Sequence, residues 1–485
     1  MSTITLIFGG YIVLLMVLAW WSRGSTRSLD GYFIAGKRLP PWVVAFSTNA
    51  TGESGWLLLG LTGMGYAVGA QAFWVVAGEV TGIALAWLLI SRRLKRLADD
   101  SNSITVPDVL IAKLGDKRHI LRAVSVVIIL VMVGTYVAAQ MVAGGKALSS
   151  FLGFDYRTAV VLGAAVIITY TMFGGYKAVA WTDLVQGILM LLGLIFVPIV
   201  AILYCGGLDA MTGNLEAQDP RLLSLWGPDG KGSKALIGIA SFLAIGIPFL
   251  GVPQLLVRFM SARSEKSLVP AMVISIIVIL LFDIGAVTTG MAGRALFPGL
   301  ADPERILPVL ASNLFPPVIT GVLLVVVIAA IMSTVDSLLI LASSAVVRDY
   351  LQGMRAWRHS GPELARTGKW ITLVIGLVGM MFAQQEAPLI FWFVLFSWSG
   401  LGAAFGPVML CILWDPKTTW LGAVVGMLGG FLTTVSWVLW IKPHAYELLE
   451  IVPGFLVGMV LTIAFSRLDR QRSKVSSMEP GSAGG

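Results

Sequence analysis

The chain has 485 residues, of which 57% are hydrophobic and only 12% are charged, and its mean hydropathy is +0.87. Soluble domains carry about twice that share of charged residues, so the composition excludes a soluble enzyme or binding module and indicates a polytopic membrane protein. The net charge of +8 does not indicate nucleic acid, because the basic residues cluster between apolar runs, where they set topology and contact lipid headgroups. Two cysteines, Cys205 and Cys411, fit neither a disulfide framework nor a metal-site spacing.

Apolar runs of about 20 residues predict thirteen membrane-spanning helices. The first run has no basic region before it and no cleavage site after it, so we expect a retained helix rather than a signal peptide. Residues 471–485 end in Gly-Ser-Ala-Gly-Gly and predict a disordered cytoplasmic tail. The spans lie near residues 3–22, 42–68, 71–91, 120–150, 157–176, 181–204, 235–260, 267–297, 316–347, 368–385, 388–413, 419–441 and 447–466.

Lysines and arginines are distributed unevenly over the two sides of this arrangement. One side collects 26 of the 34 basic residues, and the other side has the remaining eight. Because basic loops are retained in the cytoplasm, this bias places the N-terminus outside and the C-terminus in the cytoplasm.

The second predicted span is interrupted by polar residues at membrane depth. Residues 47–56 (STNATGESGW) place hydroxyls, an amide, two glycines and the carboxylate of Glu53 between apolar runs. Hydrocarbon cannot satisfy free backbone groups, so a broken helix at this depth must line a cavity or lie buried in protein. An acid there indicates a substrate or ion path.

The seventh span is interrupted in a comparable way. Residues 244–253 (AIGIPFLGVP) contain two prolines and two glycines, which kink or unwind a helix. The two interruptions are five spans apart, and units of five spans have opposite topology, as an inverted repeat requires. Such a pair is typical of a transporter's binding site. The alternative, that the glycines only allow close helix packing, explains neither Glu53 nor the two prolines.

The ninth span carries a group of oxygen ligands near its end, in residues 329–337 (AAIMSTVDS). The hydroxyls of Ser333, Thr334 and Ser337 lie within one helical turn, and the carbonyl of Ala330 lies one turn earlier. Hard cations prefer oxygen ligands, and neutral oxygens suit a monovalent ion that must also leave. The hydroxyls alone are equally compatible with hydrogen bonds back to their own helix.

Longer motifs connect these features to a known family: TGESGWLLLGLT at 51–62, GGYKAVAWTDLVQ at 174–186, RFM at 258–260, AIMST at 330–334, GAAFGP at 402–407 and EIVPGF at 450–455. With these motifs the chain resembles the sodium/solute symporter family from about residue 30 to residue 455. The resemblance implies an all-α transporter of the LeuT type with two discontinuous helices, alternating access and inward sodium-coupled uptake. It implies a five-plus-five inverted-repeat core, with repeats at about 42–204 and 235–413 and peripheral helices at 3–22, 419–441 and 447–466.

The resemblance also implies the cation sites. Asp183 matches a functionally sensitive family acid, which forms part of an ion exit path or acts as a helix N-terminal acid. Asp336 and Ser337 complete a possible second cation site with it. For two further intramembrane acids, Glu79 and Asp283, we predict only internal hydrogen bonds. The family's main sodium site maps onto backbone or hydroxyl oxygens of Ala50, Glu53, Ala330, Ser333 and Thr334.

The implied substrate pocket departs from the family's pattern. Members that transport proline carry serine and aspartate where this chain has Thr51 and Gly52, and the carboxylate appears one residue later, at Glu53. On a regular helix that shift turns the side chain by about 100°, so that Glu53 faces elsewhere, whereas an unwound segment can absorb the rotation and let Glu53 replace the aspartate. Ile245 and Phe249 replace a larger aromatic pair, which favours a different or more apolar substrate. The expected substrate-binding residues are Thr51, Gly52, Tyr136, Gln140, Ile245, Phe249 and Pro253.

We therefore expect a secondary transporter that couples the uptake of proline or a related amino acid to Na⁺. Its partners are the solute, the sodium ion and the lipid bilayer, and the sequence does not define an oligomeric state. Two alternatives stay open: proton-coupled or sodium-coupled uptake of a different small organic acid, with Glu53 as the proton carrier in the first case, and a solute sensor that does not transport. An enzyme is not expected, because the chain has no histidine cluster, nucleophile motif or cofactor loop.

Overall fold

The computed structural model describes residues 3–21, 29–116, 118–357, 361–385, 389–445 and 447–478. Throughout this part of the chain the fold is helical, and the only β-type pairing in it is an isolated bridge between Leu39 and Ala262. The α-helices are α1 (Thr3–Trp21), α2 (Leu29–Ile34), α3 (Pro41–Gly55), α4 (Thr62–Val68), α5 (Phe73–Leu85), α6 (Arg92–Asp100), α7 (Val106–Leu114), α8 (Ile120–Leu152), α9 (Tyr156–Tyr204), α10 (Leu208–Gln218), α11 (Ser233–Ala244), α12 (Pro253–Ser261), α13 (Leu268–Leu296), α14 (Ile306–Leu314), α15 (Pro317–Ser344), α16 (Gly361–Phe382), α17 (Ile390–Trp414), α18 (Trp420–Ser436) and α19 (Ile451–Met478).

Nine helical segments of the described chain are long and apolar enough to cross a membrane. One of them, Pro41–Asp100, contains two of the predicted spans, and shorter apolar helices cover Thr3–Leu18 and Tyr156–Thr169. Together with α16, these segments account for each of the thirteen predicted spans. The predicted tail begins within the end of α19, and residues 479–485 lie outside the described range.

Two membrane helices are broken near their middle, at the predicted positions. The first runs from α3 through a π-helical stretch, Trp56–Leu61, into α4 and breaks at Ser54, whose φ is 58°. The second runs from α11 through a 3₁₀ turn, Ile247–Leu250, into α12. Glycine also divides α9, where Gly175 has a φ of 63° and separates two spans. The breaks occur where glycine, proline and serine weaken the helical ladder.

The broken helices lie at the centre of the bundle. Helix α3 contacts α9, α12, α13 and α15. In the most apolar windows of α15 and α17, 83% of the residues are buried, whereas in α18 and α19 only 28% are buried. Helices α18 and α19 therefore lie at the periphery, packed against each other and α17.

Glycines allow the second broken helix to approach α5 closely. A Cβ atom added to Gly82 on α5 would lie 2.0 Å from the carbonyl oxygen of Gly246, and one added to Gly78 would lie 2.5 Å from that of Leu243. Side chains other than hydrogen do not fit at these contacts. The second broken helix is therefore held against α5 by backbone-to-backbone packing.

Candidate functional site

The first break is held open by a glutamine from α8. The Gly55 N–H donates to Gln140 Oε1 at 3.0 Å, and Gln140 Nε2 donates to the Ser54 hydroxyl at 3.3 Å. The Ser54 hydroxyl also accepts the Trp56 N–H at 3.1 Å. Broken helices inside a membrane need such partners for their freed backbone groups. Both ends of the Gln140 amide, a predicted substrate contact, are thus engaged by the break itself.

Helix α15 meets α3 immediately before the break, and this junction holds four of the five predicted sodium ligands. The Ser333 hydroxyl lies 2.8 Å from the Ala50 carbonyl oxygen and 2.9 Å from that of Ala330, and the Thr334 hydroxyl donates to the Thr51 carbonyl at 3.0 Å. Glu53, the fifth, has its carbonyl engaged by the Trp56 N–H. The Thr334 hydroxyl contacts the carbonyl of Thr51, an oxygen that the sequence did not predict as a ligand.

These junction oxygens fit a monovalent hard cation. All are carbonyl or hydroxyl oxygens of fully buried residues, and both hydroxyls can turn a lone pair toward an ion that replaces their present hydrogen bonds. A neutral oxygen set holds such an ion without the strong attraction of a carboxylate. It therefore suits an ion that must be released in every cycle.

An arginine lies at the predicted second cation site. The Arg258 guanidinium of α12 pairs with Asp183 at 3.1 Å, donates to the Thr51 hydroxyl at 2.6 Å and contacts Ser337. Asp183 also accepts from the Ser47 hydroxyl at 2.6 Å. The structure thus brings Asp183 and Ser337 together around a protein cation.

Arg258 was missed as a site residue, although an arginine inside an apolar span is itself a signal. The neighbouring candidate Asp336 is fully buried, and both its carboxylate oxygens lack a hydrogen-bond partner among the described residues.

Three of the predicted substrate residues, Gly52, Ile245 and Phe249, come together around an aromatic pair. The Phe249 ring lies against Gly52, where an added Cβ would be 3.3 Å from Cε1, and it packs edge-to-face on Trp398 at 5.1 Å between centroids. Trp398 also donates its indole N–H to the Ile245 carbonyl at 3.1 Å. Trp398 on α17 was not predicted, because nothing in its local sequence distinguishes it from other membrane tryptophans.

The remaining substrate candidates occupy different faces of the break. Tyr136 is fully buried and its hydroxyl has no hydrogen-bond partner in the described chain. Pro253 begins α12 and is buried. The Thr51 hydroxyl points to Arg258 and α15 rather than to the aromatic pair. The Glu53 side chain turns toward Glu79 and Asp283, so it does not take the place of a residue at Gly52.

Comparison with known proteins places nearly the whole chain in one family. The profile of the sodium:solute symporter family matches residues 32–430. The high-affinity proline transporter PutP of Bacillus subtilis (strain 168) is 36% identical over 467 residues, which cover 95% of this chain and 97% of that protein. A sodium/proline symporter of Staphylococcus aureus is 35% identical over 476 residues, covering 95% and 92%. A Na⁺-coupled sialic acid symporter shares the fold, with a TM-score of 0.80 at 19% identity over 96% of this chain and 98% of that one.

Proposed function

The chain belongs to the sodium:solute symporter family, and on this premise we propose that it carries proline into the cell together with Na⁺. It is a secondary transporter of the plasma membrane, not an enzyme, and its coupling ion is Na⁺. The relatives named as proline transporters match it over nearly their whole length.

One observation carries the proposed mechanism: the oxygens of Ala50, Thr51, Ala330, Ser333 and Thr334 meet where α15 crosses the first broken helix. An ion bound there ties α15 to α3 just before the break. Because α3 also carries Gly52 of the substrate region, ion binding and solute binding act on the same segment. Such a shared segment couples the two ligands through one conformational equilibrium.

The substrate region supports a small amino acid with an apolar side chain. The Phe249 ring lies beside Gly52 and packs edge-to-face on Trp398, so this region presents an apolar aromatic surface next to the first break. Discontinuous helices of transporters commonly direct helix ends at the charged groups of a substrate. A pyrrolidine ring can pack on this surface through apolar contact alone. Tyr136 adds a buried hydroxyl that has no hydrogen-bond partner in the described chain.

Uptake into proteoliposomes tests this proposal. We expect radiolabelled proline to accumulate against its gradient when Na⁺ is high outside, and not when K⁺ replaces Na⁺. Equal accumulation under a proton gradient without Na⁺ would contradict sodium coupling. Competition by a panel of amino and organic acids tests the solute, and failure of proline to compete best would contradict the proline assignment.

The orientation is part of the proposal. The 26 basic residues on one predicted side support a cytoplasmic C-terminus and an external N-terminus. A C-terminal fusion to green fluorescent protein, which fluoresces in the cytoplasm, should be bright. A dark fusion paired with an active C-terminal alkaline phosphatase fusion would reverse the orientation.

A further inference from the structure

Three carboxylates from three different helices meet beside the first break. Glu53 of α3, Glu79 of α5 and Asp283 of α13 each place an oxygen within 4.8 Å of the other two. Their exposed fractions are 1%, 3% and 0%. From sequence we predicted only internal hydrogen bonds for Glu79 and Asp283, because the sequence does not show that these distant residues lie close together in space. We name these three residues the acidic triad.

The acidic triad lacks the partners that buried carboxylates normally have. Both oxygens of Glu53, both of Asp283 and one of Glu79 have no hydrogen-bond partner in the described chain, and none of the ion pairs found there includes them. A second unpartnered polar group, the buried Tyr136 hydroxyl of α8, lies within electrostatic range of Glu53 and Glu79. A buried carboxylate without a donor or counter-charge must either hold a proton, which Glu53 and Glu79 can share in a hydrogen bond, or bind a cation.

The spacing of the oxygens fits one hard cation. An ion of the size of Ca²⁺ binds oxygens at about 2.3–2.6 Å, so oxygens on opposite sides of it are about 5 Å apart. Na⁺ has nearly the same radius. Three carboxylate oxygens that lie within 4.8 Å of one another can therefore all contact a single ion.

We propose that Glu53, Glu79 and Asp283 form a second binding site for a hard cation, separate from the junction of α3 and α15. Glu53 links the two sites, because its side chain belongs to the acidic triad and its backbone lies beside the junction ligands Ala50 and Thr51. Binding at the acidic triad ties α5 and α13 to the break. Na⁺ is the first occupant to test, since it is the coupling ion of the proposed function, and Ca²⁺ is the second.

Binding of ²²Na⁺ and ⁴⁵Ca²⁺ to the purified full chain in detergent, without proline, tests this proposal. We expect the wild type to bind two Na⁺ per chain and E79Q/D283N to bind one. If thermal unfolding shows that the double variant is not folded, the single variants E79Q and D283N take its place, and each is expected to bind one Na⁺. The matched control is E450Q, which removes a buried carboxylate outside the triad that pairs with Lys442 at 2.8 Å. It should retain two Na⁺.

Each outcome separates the two sites. The variant S333A/T334A should lose the junction ion and keep the ion of the acidic triad, so a failure of the junction site appears in a different variant. One Na⁺ and one Ca²⁺ in the wild type, with the Ca²⁺ lost in E79Q/D283N, would also support the site and identify a divalent occupant. Equal binding of both ions by the wild type and E79Q/D283N would overturn the proposal.

Discussion

The position of Glu53, one residue after Gly52, determines which residues its side chain contacts. Glu53 follows Gly52 directly, and the backbone there turns its side chain into the acidic triad, while the Phe249 ring packs against Gly52. A side chain at Gly52 and the ring of Phe249 compete for one space. The sequence left open whether Glu53 takes the place of a residue at Gly52 or faces elsewhere, because that depends on which helices lie beside α3.

Arg258 provides the first prediction. R258Q leaves Asp183 as a buried acid without its cation, which costs about 3–5 kcal/mol, so we expect a large fall in the melting temperature of the purified protein. D183N/R258Q removes both charges, and we expect its melting temperature to lie above that of R258Q.

An exposed arginine is the control for this pair. Arg221 and Asp219 pair at 2.9 Å on the surface, so R221Q should leave the melting temperature nearly unchanged. Equal melting temperatures of R258Q and D183N/R258Q would show that Asp183 without Arg258 does not destabilise the protein, which contradicts this prediction.

Among the helices, the broken ones depend most on their neighbours. Glycine, proline and serine locate both breaks from sequence, and the structure confirms both positions. The groups that hold the breaks open were not predictable, since Gln140 and Trp398 come from helices distant in sequence. Local composition predicts where a helix breaks. The groups that hydrogen-bond to the freed backbone N–H and C=O groups come from other helices, so they depend on the tertiary structure.

The contact between α5 and the second broken helix gives the next prediction. G82A places a methyl group 2.0 Å from the Gly246 carbonyl oxygen, and backbone atoms cannot move aside as a flexible side chain does. We expect G82A to lose folded yield in size-exclusion chromatography and to lose proline uptake. G134A, at a helical glycine with no atom near the added Cβ, should behave like the wild type. Wild-type uptake by G82A would show that the close approach is not required.

The start of α17 is tied to a short helix, Pro303–Arg305, by one carboxylate. Glu304 accepts from Lys146 at 2.9 Å and from the backbone N–H groups of Ile390 and Phe391 at 2.9 and 2.8 Å. A carboxylate at a helix N-terminus is stabilised by the helix dipole and by charge-assisted hydrogen bonds.

We expect E304Q and K146M each to lower thermal stability, with a coupling energy of about 1–3 kcal/mol in the double-mutant cycle. The exposed pair Lys234–Asp229, 2.8 Å apart, is the control, and D229N with K234M should show coupling below about 1 kcal/mol. Additive effects of E304Q and K146M would show that the ion pair contributes nothing.

The whole molecule was the most predictable part. Thirteen apolar runs, an odd interval of five between the two broken spans and the family motifs predicted the transporter fold, which the relatives and the sialic acid symporter structure confirm. Hydrophobic length sets these spans whatever the side-chain details. The sites were less predictable, because the Thr51 carbonyl, Arg258 and the acidic triad are chosen by proximity in space.

The sodium dependence of proline uptake in proteoliposomes, compared between the wild type and S333A, shows whether the coupling ion binds at the junction of α3 and α15. Loss of the Ser333 hydroxyl removes one junction ligand, so we predict that the Na⁺ concentration for half-maximal uptake rises about tenfold, which corresponds to about 1.4 kcal/mol. S344A on the same helix, whose hydroxyl bonds back to the Leu341 carbonyl, should keep the wild-type value. An unchanged sodium dependence in S333A would contradict a coupling ion at the junction of α3 and α15.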